Sequence, residues 1–128
     1  MKVAFTSSTG EMIDQHFGMT ENFQIWEVGP DEAHFLETVE VGTPDEDEED
    51  KIAARVAALV GCAIVYTMQI GGPAAAKVVA SKIHPMKTGK ETNLLEVVEK
   101  LQEVLRGNPP PWLKKAMNKG NIPSFMED

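Results

Sequence analysis

Cysteine is nearly absent from this chain: Cys62 is the only one in 128 residues. A single thiol excludes an internal disulfide, and it excludes a zinc or iron–sulfur site built from the cysteines of one chain. Any cluster held here must arrive preassembled and be gripped by one or two side chains plus backbone groups. Positive charge is also scarce, with 12 Lys and Arg against 20 Asp and Glu and a formal net charge of −8. Long-range electrostatics then oppose phosphate backbones and anionic membranes, so nucleic acid is not an expected partner. Long apolar runs are missing too. No stretch approaches the roughly 20 residues a membrane helix needs, and Met1-Lys2 leads directly into a strand-like segment rather than the apolar core of a signal peptide. A cytoplasmic location is expected.

What is present suits one ordinary domain. With 42% hydrophobic and 25% charged residues, the chain can bury a core without disulfides but not two independent cores. Val3-Ala4-Phe5 reads as a buried first strand that empties into the turn-rich Ser7-Ser8-Thr9-Gly10. Phe23 to Val28 alternates apolar and polar, and Phe35 to Val41 repeats the pattern more weakly, predicting a hairpin of strands two and three. His34 falls in its turn, exposed. The acidic run Asp45 to Asp50 leads into Ile52, Val56, Leu59 and Val60, spaced as one helix face, with acids favourable at its start. The run reads as a solvated cap, or as a docking patch for a basic surface. Cys62 to Tyr66 is a nearly all-apolar run, as in a central parallel strand covered on both faces.

Gly71-Gly72-Pro73 opens a second helix, with Pro73 suited to its first position and Gly72 able to bring backbone close to a ligand. Ile83 to Lys87 predicts a fifth strand, placed at the sheet edge because Pro85 has no amide donor. Asn93 three residues before Glu96 resembles a capping box, and the stripe from Leu94 to Leu105 predicts a third helix ending at Gly107. Residues 1–107 form the cofactor-binding α/β domain of this reading, and 108–128 a Pro-rich extension in which Trp112 to Met117 adds one or two helical turns and the last ten residues fray. The expected architecture is a mixed five-stranded sheet of order 3-2-1-4-5 with helices packed on it.

If strands one and four are parallel neighbours, their loops leave the same edge, where ligands bind at switch points of open α/β sheets. That places the loop from Ser7 to Asn22 opposite Gly71 and Gly72. His16 in Asp14-Gln15-His16-Phe17-Gly18 is the leading metal ligand, because an imidazole nitrogen coordinates transition metals, while Gly18 permits a tight turn. Free amides at the start of helix two can receive an anion, with Lys77 one turn in as a further positive charge. The cofactor-facing residues are thus Ser7, His16, Phe17, Gly18, Met68, Gly71, Gly72 and Lys77, with Met68 included as a soft thioether near the upper edge. Cys62 lies at the opposite end of its strand, where it reads as a buried apolar side chain or as a second metal pair with His84.

Such a sheet is similar to ribonuclease H-like folds, yet nuclease chemistry needs carboxylates on the central strands, and strands one and four carry none. A Cys–His hydrolase needs an exposed, thiolate-prone cysteine, and the apolar setting of Cys62 opposes that. The segments Asp14-Gln15-His16-Phe17-Gly18, Ile70-Gly71-Gly72-Pro73-Ala74-Ala75-Ala76-Lys77, Ile83-His84-Pro85-Met86-Lys87 and Gly107-Asn108-Pro109-Pro110-Pro111-Trp112-Leu113 resemble the nitrogenase iron–molybdenum cofactor biosynthesis and carrier family of NifX and NafY type. That resemblance implies a ribonuclease H-like domain, not an enzyme. It would bind an iron–sulfur precursor or the finished iron–molybdenum cofactor, an anionic cargo, and pass it between assembly scaffold proteins, with His16 as cluster ligand. Cys62 matches a recurrent family cysteine. A metal-free adaptor that docks on the scaffolds is the alternative.

Overall fold

Strand β1 (Lys2–Phe5) is followed by β2 (Met12–Ile13), β3 (Asn22–Val28), β4 (Ala33–Glu40), α1 (Glu48–Ala58), β5 (Cys62–Thr67), α2 (Gly72–Ala80), β6 (His84–Lys87), β7 (Thr92–Asn93), α3 (Leu94–Arg106) and α4 (Pro111–Asn121). The computed structural model describes residues 1–41 and 48–121, with the backbone alone at Glu48, Glu49 and 118–121. The expectations for the acidic run 45–50 and for fraying of the last ten residues fall largely outside the described residues.

Five strands form a mixed sheet ordered β4-β3-β1-β5-β6. β1 is antiparallel to β3 and parallel to β5, with Ala4 opposite Ile25 on one side and Val65 on the other. A strand flanked on both edges and covered on both faces has no polar side to show, and Val3, Ala4, Phe5, Ile64 and Val65 are all fully buried. β6 runs parallel to β5 at the edge, where Pro85 sits opposite Val65 and its missing amide faces no second neighbour.

Each face of the sheet has its own cluster. On one, Ala4, Ile25, Cys62 and Val65 meet Ile52 and Leu59 of the α1 segment and Ala74 and Val78 of α2. On the other, Val3, Phe5, Val28 and Ile64 meet Leu94, Val98, Leu101 and Leu105 of α3 and Leu113 of α4. α3 starts where the Asn93 side chain accepts from the Glu96 amide at 3.1 Å, and it ends where the Gly107 amide donates to the Glu103 carbonyl at 3.1 Å.

The structure departs from the expectation in four places. Met12–Ile13 and Thr92–Asn93 pair as a separate two-stranded ribbon. His34 lies within β4, not in a turn, and is exposed there. Gly72, not Pro73, is the first residue of α2, so Pro73 sits second. The segment after the prolines forms an eleven-residue helix rather than one or two turns, and Leu113 is only 2% exposed in the α3 cluster.

Candidate functional site

β1 and β5 end side by side with a threonine each, and these set the geometry of the loop above them. Thr6 and Thr67 are both fully buried. The Thr6 hydroxyl donates to the Gln15 carbonyl at 2.8 Å, and the Thr67 hydroxyl lies 3.0 Å from the same oxygen. The Met68 amide adds a third donor to Gln15 at 3.1 Å, and the Phe17 amide donates to the Gln69 carbonyl at 2.9 Å. Phe17 itself is fully buried, tilted against Phe23 with ring centroids 5.7 Å apart. His16 therefore stands between two residues fixed from below, and its own side chain is exposed. Its carbonyl accepts from the Met19 and Thr20 amides, both at 3.0 Å, which closes the turn.

His16, Gly18, Met19, Lys51, Gln69, Ile70 and Gly71 line one open depression of about 230 Å³. Gly71 precedes α2 in an extended conformation, and no side chain among the described residues caps the helix start. The first amides of a helix have no partner within it and attract negative charge. A Cβ on Gly18, Gly71 or Gly72 would meet nothing within 4 Å, and none of the three has a positive φ. Gly18 is thus not demanded by the turn, contrary to the sequence reading. What these glycines leave is open space at the rim, where a bulky ligand can approach backbone.

Asp14 braces the near side of the loop. Its carboxylate accepts from the Ser8 amide at 2.9 Å and the Ser8 hydroxyl at 2.5 Å. Burial raises its pKa, but the hydrogen bonds it accepts, those from Ser8 foremost, outweigh that and hold the carboxyl below its usual range.

Of the expected cofactor-facing residues, His16, Gly18 and Gly71 come together in the depression, with Gly72 at the adjoining helix start. Others do not. Phe17 is core, for its ring is needed against Phe23. Ser7 is buried, its hydroxyl accepting from the Gly10 amide at 2.8 Å, so it shapes the loop instead of facing a ligand. Met68 is half-buried and acts through its backbone. Lys77 falls in the last turn of α2 and, together with Cys62, lines a broad groove at the opposite edge of the sheet rather than the depression. Cys62 and His84 cannot form a metal pair, because they occupy opposite faces. Cys62 packs under α1 and α2, whereas the His84 ring stacks on Trp112 of α4 at 3.8 Å. Burial pushes the Cys62 thiol up to about 11, with the nearby Lys2 ammonium pulling it only part of the way back.

Two residues escaped the sequence reading. Lys51 of α1 lines the depression, and Arg55, one turn on, is 2% exposed. The Arg55 guanidinium donates to the Thr20 carbonyl at 2.6 Å and to the Lys51 carbonyl at 3.1 Å. An arginine at the inner edge of an amphipathic helix was the available signal. Among the described residues, no group of three or more His, Cys, Asp or Glu side chains is placed to hold a metal ion.

Residues 1–104 match the family model described as dinitrogenase iron-molybdenum cofactor. Over 122 residues the chain is 42% identical to Protein NifX of Herbaspirillum seropedicae, covering 94% of this chain and 84% of that one. It is 38% identical over 126 residues to Protein NifX of Azotobacter vinelandii, covering 98% and 80%. Protein NifY of Azotobacter vinelandii is 41% identical over 117 residues, which are 91% of this chain and 48% of that longer protein. The solved structure of PH0822 superposes with a TM-score of 0.64 at 22% identity, over 80% of this chain and 89% of that one. That likeness is one of fold.

Proposed function

Because the chain belongs to the dinitrogenase iron–molybdenum cofactor family, of NifX and NafY type, we propose that it takes part in nitrogenase cofactor assembly by carrying the cargo on His16. The cargo of this reading is an iron–sulfur precursor or the finished iron–molybdenum cofactor, held transiently and passed between scaffold proteins in the cytoplasm. We read the chain as a carrier, not an enzyme, and its mixed sheet as ribonuclease H-like.

One observation carries the reading: an exposed imidazole on a loop clamped from below stands at the same depression as the uncapped start of α2. The imidazole offers a nitrogen ligand to a metal, and the helix amides offer positive potential to an anion. A bare ion needs several protein ligands. A preformed cluster brings its own bridging atoms and needs the protein for one or two contacts, which suits a depression with a single ligating side chain.

The test is anaerobic mixing of the purified chain with isolated iron–molybdenum cofactor or its precursor, followed by gel filtration and iron and molybdenum analysis. Metal co-eluting with the wild-type chain, and lowered several-fold by His16→Ala with unchanged circular dichroism, supports the reading. Equal metal in the variant excludes His16 as a main ligand. Tight binding to a scaffold protein with no metal uptake makes the chain an adaptor.

A further inference from the structure

We propose that Lys51 reads the charge of the cargo held at His16, and that Arg55 is the positioning residue that keeps Lys51 at the depression; this deepens the carrier reading and rests on it. The ligand class is an anionic cluster with two chemically different faces, a metal for the imidazole and anionic oxygen or sulfur for the ammonium.

Among the described residues that line the depression, Lys51 alone carries a full charge beside the ligating His16. A chain of net charge −8 repels anions at long range. An anionic cargo can settle only where local positive charge reverses that field. The loop of β1 and the turn before α2 supply an imidazole and backbone amides, and α1 brings the ammonium from a third direction.

The placement of α1 is built, not incidental. Lys51 and Arg55 are four residues apart and so lie on one helix face. The buried Arg55 guanidinium spans the Lys51 carbonyl, at 3.1 Å, and the Thr20 carbonyl, at 2.6 Å. The Thr20 amide in turn donates to the His16 carbonyl at 3.0 Å. An unbroken run of hydrogen bonds therefore joins the backbone of Lys51 to the backbone of His16. The two bonds come from two different nitrogens of the planar guanidinium fork, whereas a lysine at 55 would carry its three donors on a single nitrogen and lacks that shape. Burying a guanidinium is costly unless it is well bonded, so its presence here fixes α1 against the His16 turn.

Isolated iron–molybdenum cofactor, offered anaerobically to the full chain across a salt series, tests this by the molybdenum retained. Lys51→Gln is expected to weaken retention about twofold to fivefold at low salt, as for one partly exposed charge pair, and to flatten the salt dependence, while Lys51→Arg keeps both. Arg55→Lys, compared at a temperature where circular dichroism shows it folded, is expected to weaken retention similarly. A Lys51→Gln variant with wild-type affinity and wild-type salt dependence overturns the proposal. If His16→Ala still lowers retention in that case, the carrier reading stands without Lys51. If His16→Ala also retains the cofactor fully, His16 is excluded as the ligand along with Lys51, and wild-type chain that retains no cofactor at all overturns the carrier reading itself.

Discussion

Thr6 and Thr67, 61 residues apart in the chain, hold their hydroxyl oxygens 3.1 Å from each other at the ends of two parallel strands. Both hydroxyls reach the Gln15 carbonyl, the residue before His16. The parallel register of β1 and β5 is thereby converted into the position of one exposed imidazole. Removing the Thr67 hydroxyl by Thr67→Val keeps the side-chain shape and leaves Gln15 with the Thr6 and Met68 donors. Loss of one buried hydrogen bond predicts about 1 kcal/mol lower stability in urea unfolding. Cofactor retention should fall as well, because His16 loses part of its footing. A variant destabilised to this extent with unaltered retention would separate the clamp from the site.

Asp14 makes loop stability depend on pH. Burial raises its folded-state pKa, but the hydrogen bonds it accepts, chiefly from the Ser8 hydroxyl and amide, hold it below the ordinary carboxylate range. A group with a lowered folded value stabilises the fold fully above its unfolded value, and that contribution is lost as pH falls through the folded value. Between pH 7 and pH 3 the wild-type chain should therefore lose more thermal stability than Asp14→Asn, whose amide does not titrate. At pH 7 the variant should be the less stable of the two, by about 1 kcal/mol. Parallel melting curves for both proteins across that range would refute this.

Cys62 should behave as an inert thiol. Burial raises it to about 11, so near pH 8 almost none is thiolate, the reactive form. Iodoacetamide at pH 8 is expected to label the native chain far more slowly than the chain unfolded in guanidinium. The raised value favours folding below the ordinary thiol range, and this contribution is lost as pH rises toward 11. Rapid labelling of the native protein would contradict the packing of Cys62 beneath α1 and α2.

Legibility in the sequence follows the range of each interaction. β1 and β5 were readable because short, wholly apolar runs have few other homes, and α3 because Asn93, its apolar stripe and Gly107 are local signals. The approach of His16 to Gly71 followed from the two strands lying parallel. The ribbon of Met12–Ile13 and Thr92–Asn93 was not legible, since two residues per strand carry no periodicity. α4 was underestimated because three prolines read as a break, although Pro111 at a first helical position starts a helix well. Lys77 was expected one turn into its helix, but it falls in the last turn of α2 and lines the other groove, and Phe17 was misread by grouping it with the exposed His16. Arg55 stands at the inner edge of an amphipathic helix, but its role could not be read because its partner, the Thr20 carbonyl, lies 35 residues away. Without that contact nothing marks Lys51 as part of a site.

The most direct measurement is pulsed electron paramagnetic resonance of the bound cofactor in its paramagnetic state, with the chain's histidines labelled with nitrogen-15. A metal–imidazole bond through His16 gives a hyperfine coupling to the labelled nitrogen that is lost in His16→Ala. The same coupling persisting in that variant, or none in the wild-type complex, would contradict the assignment of His16 as the ligand.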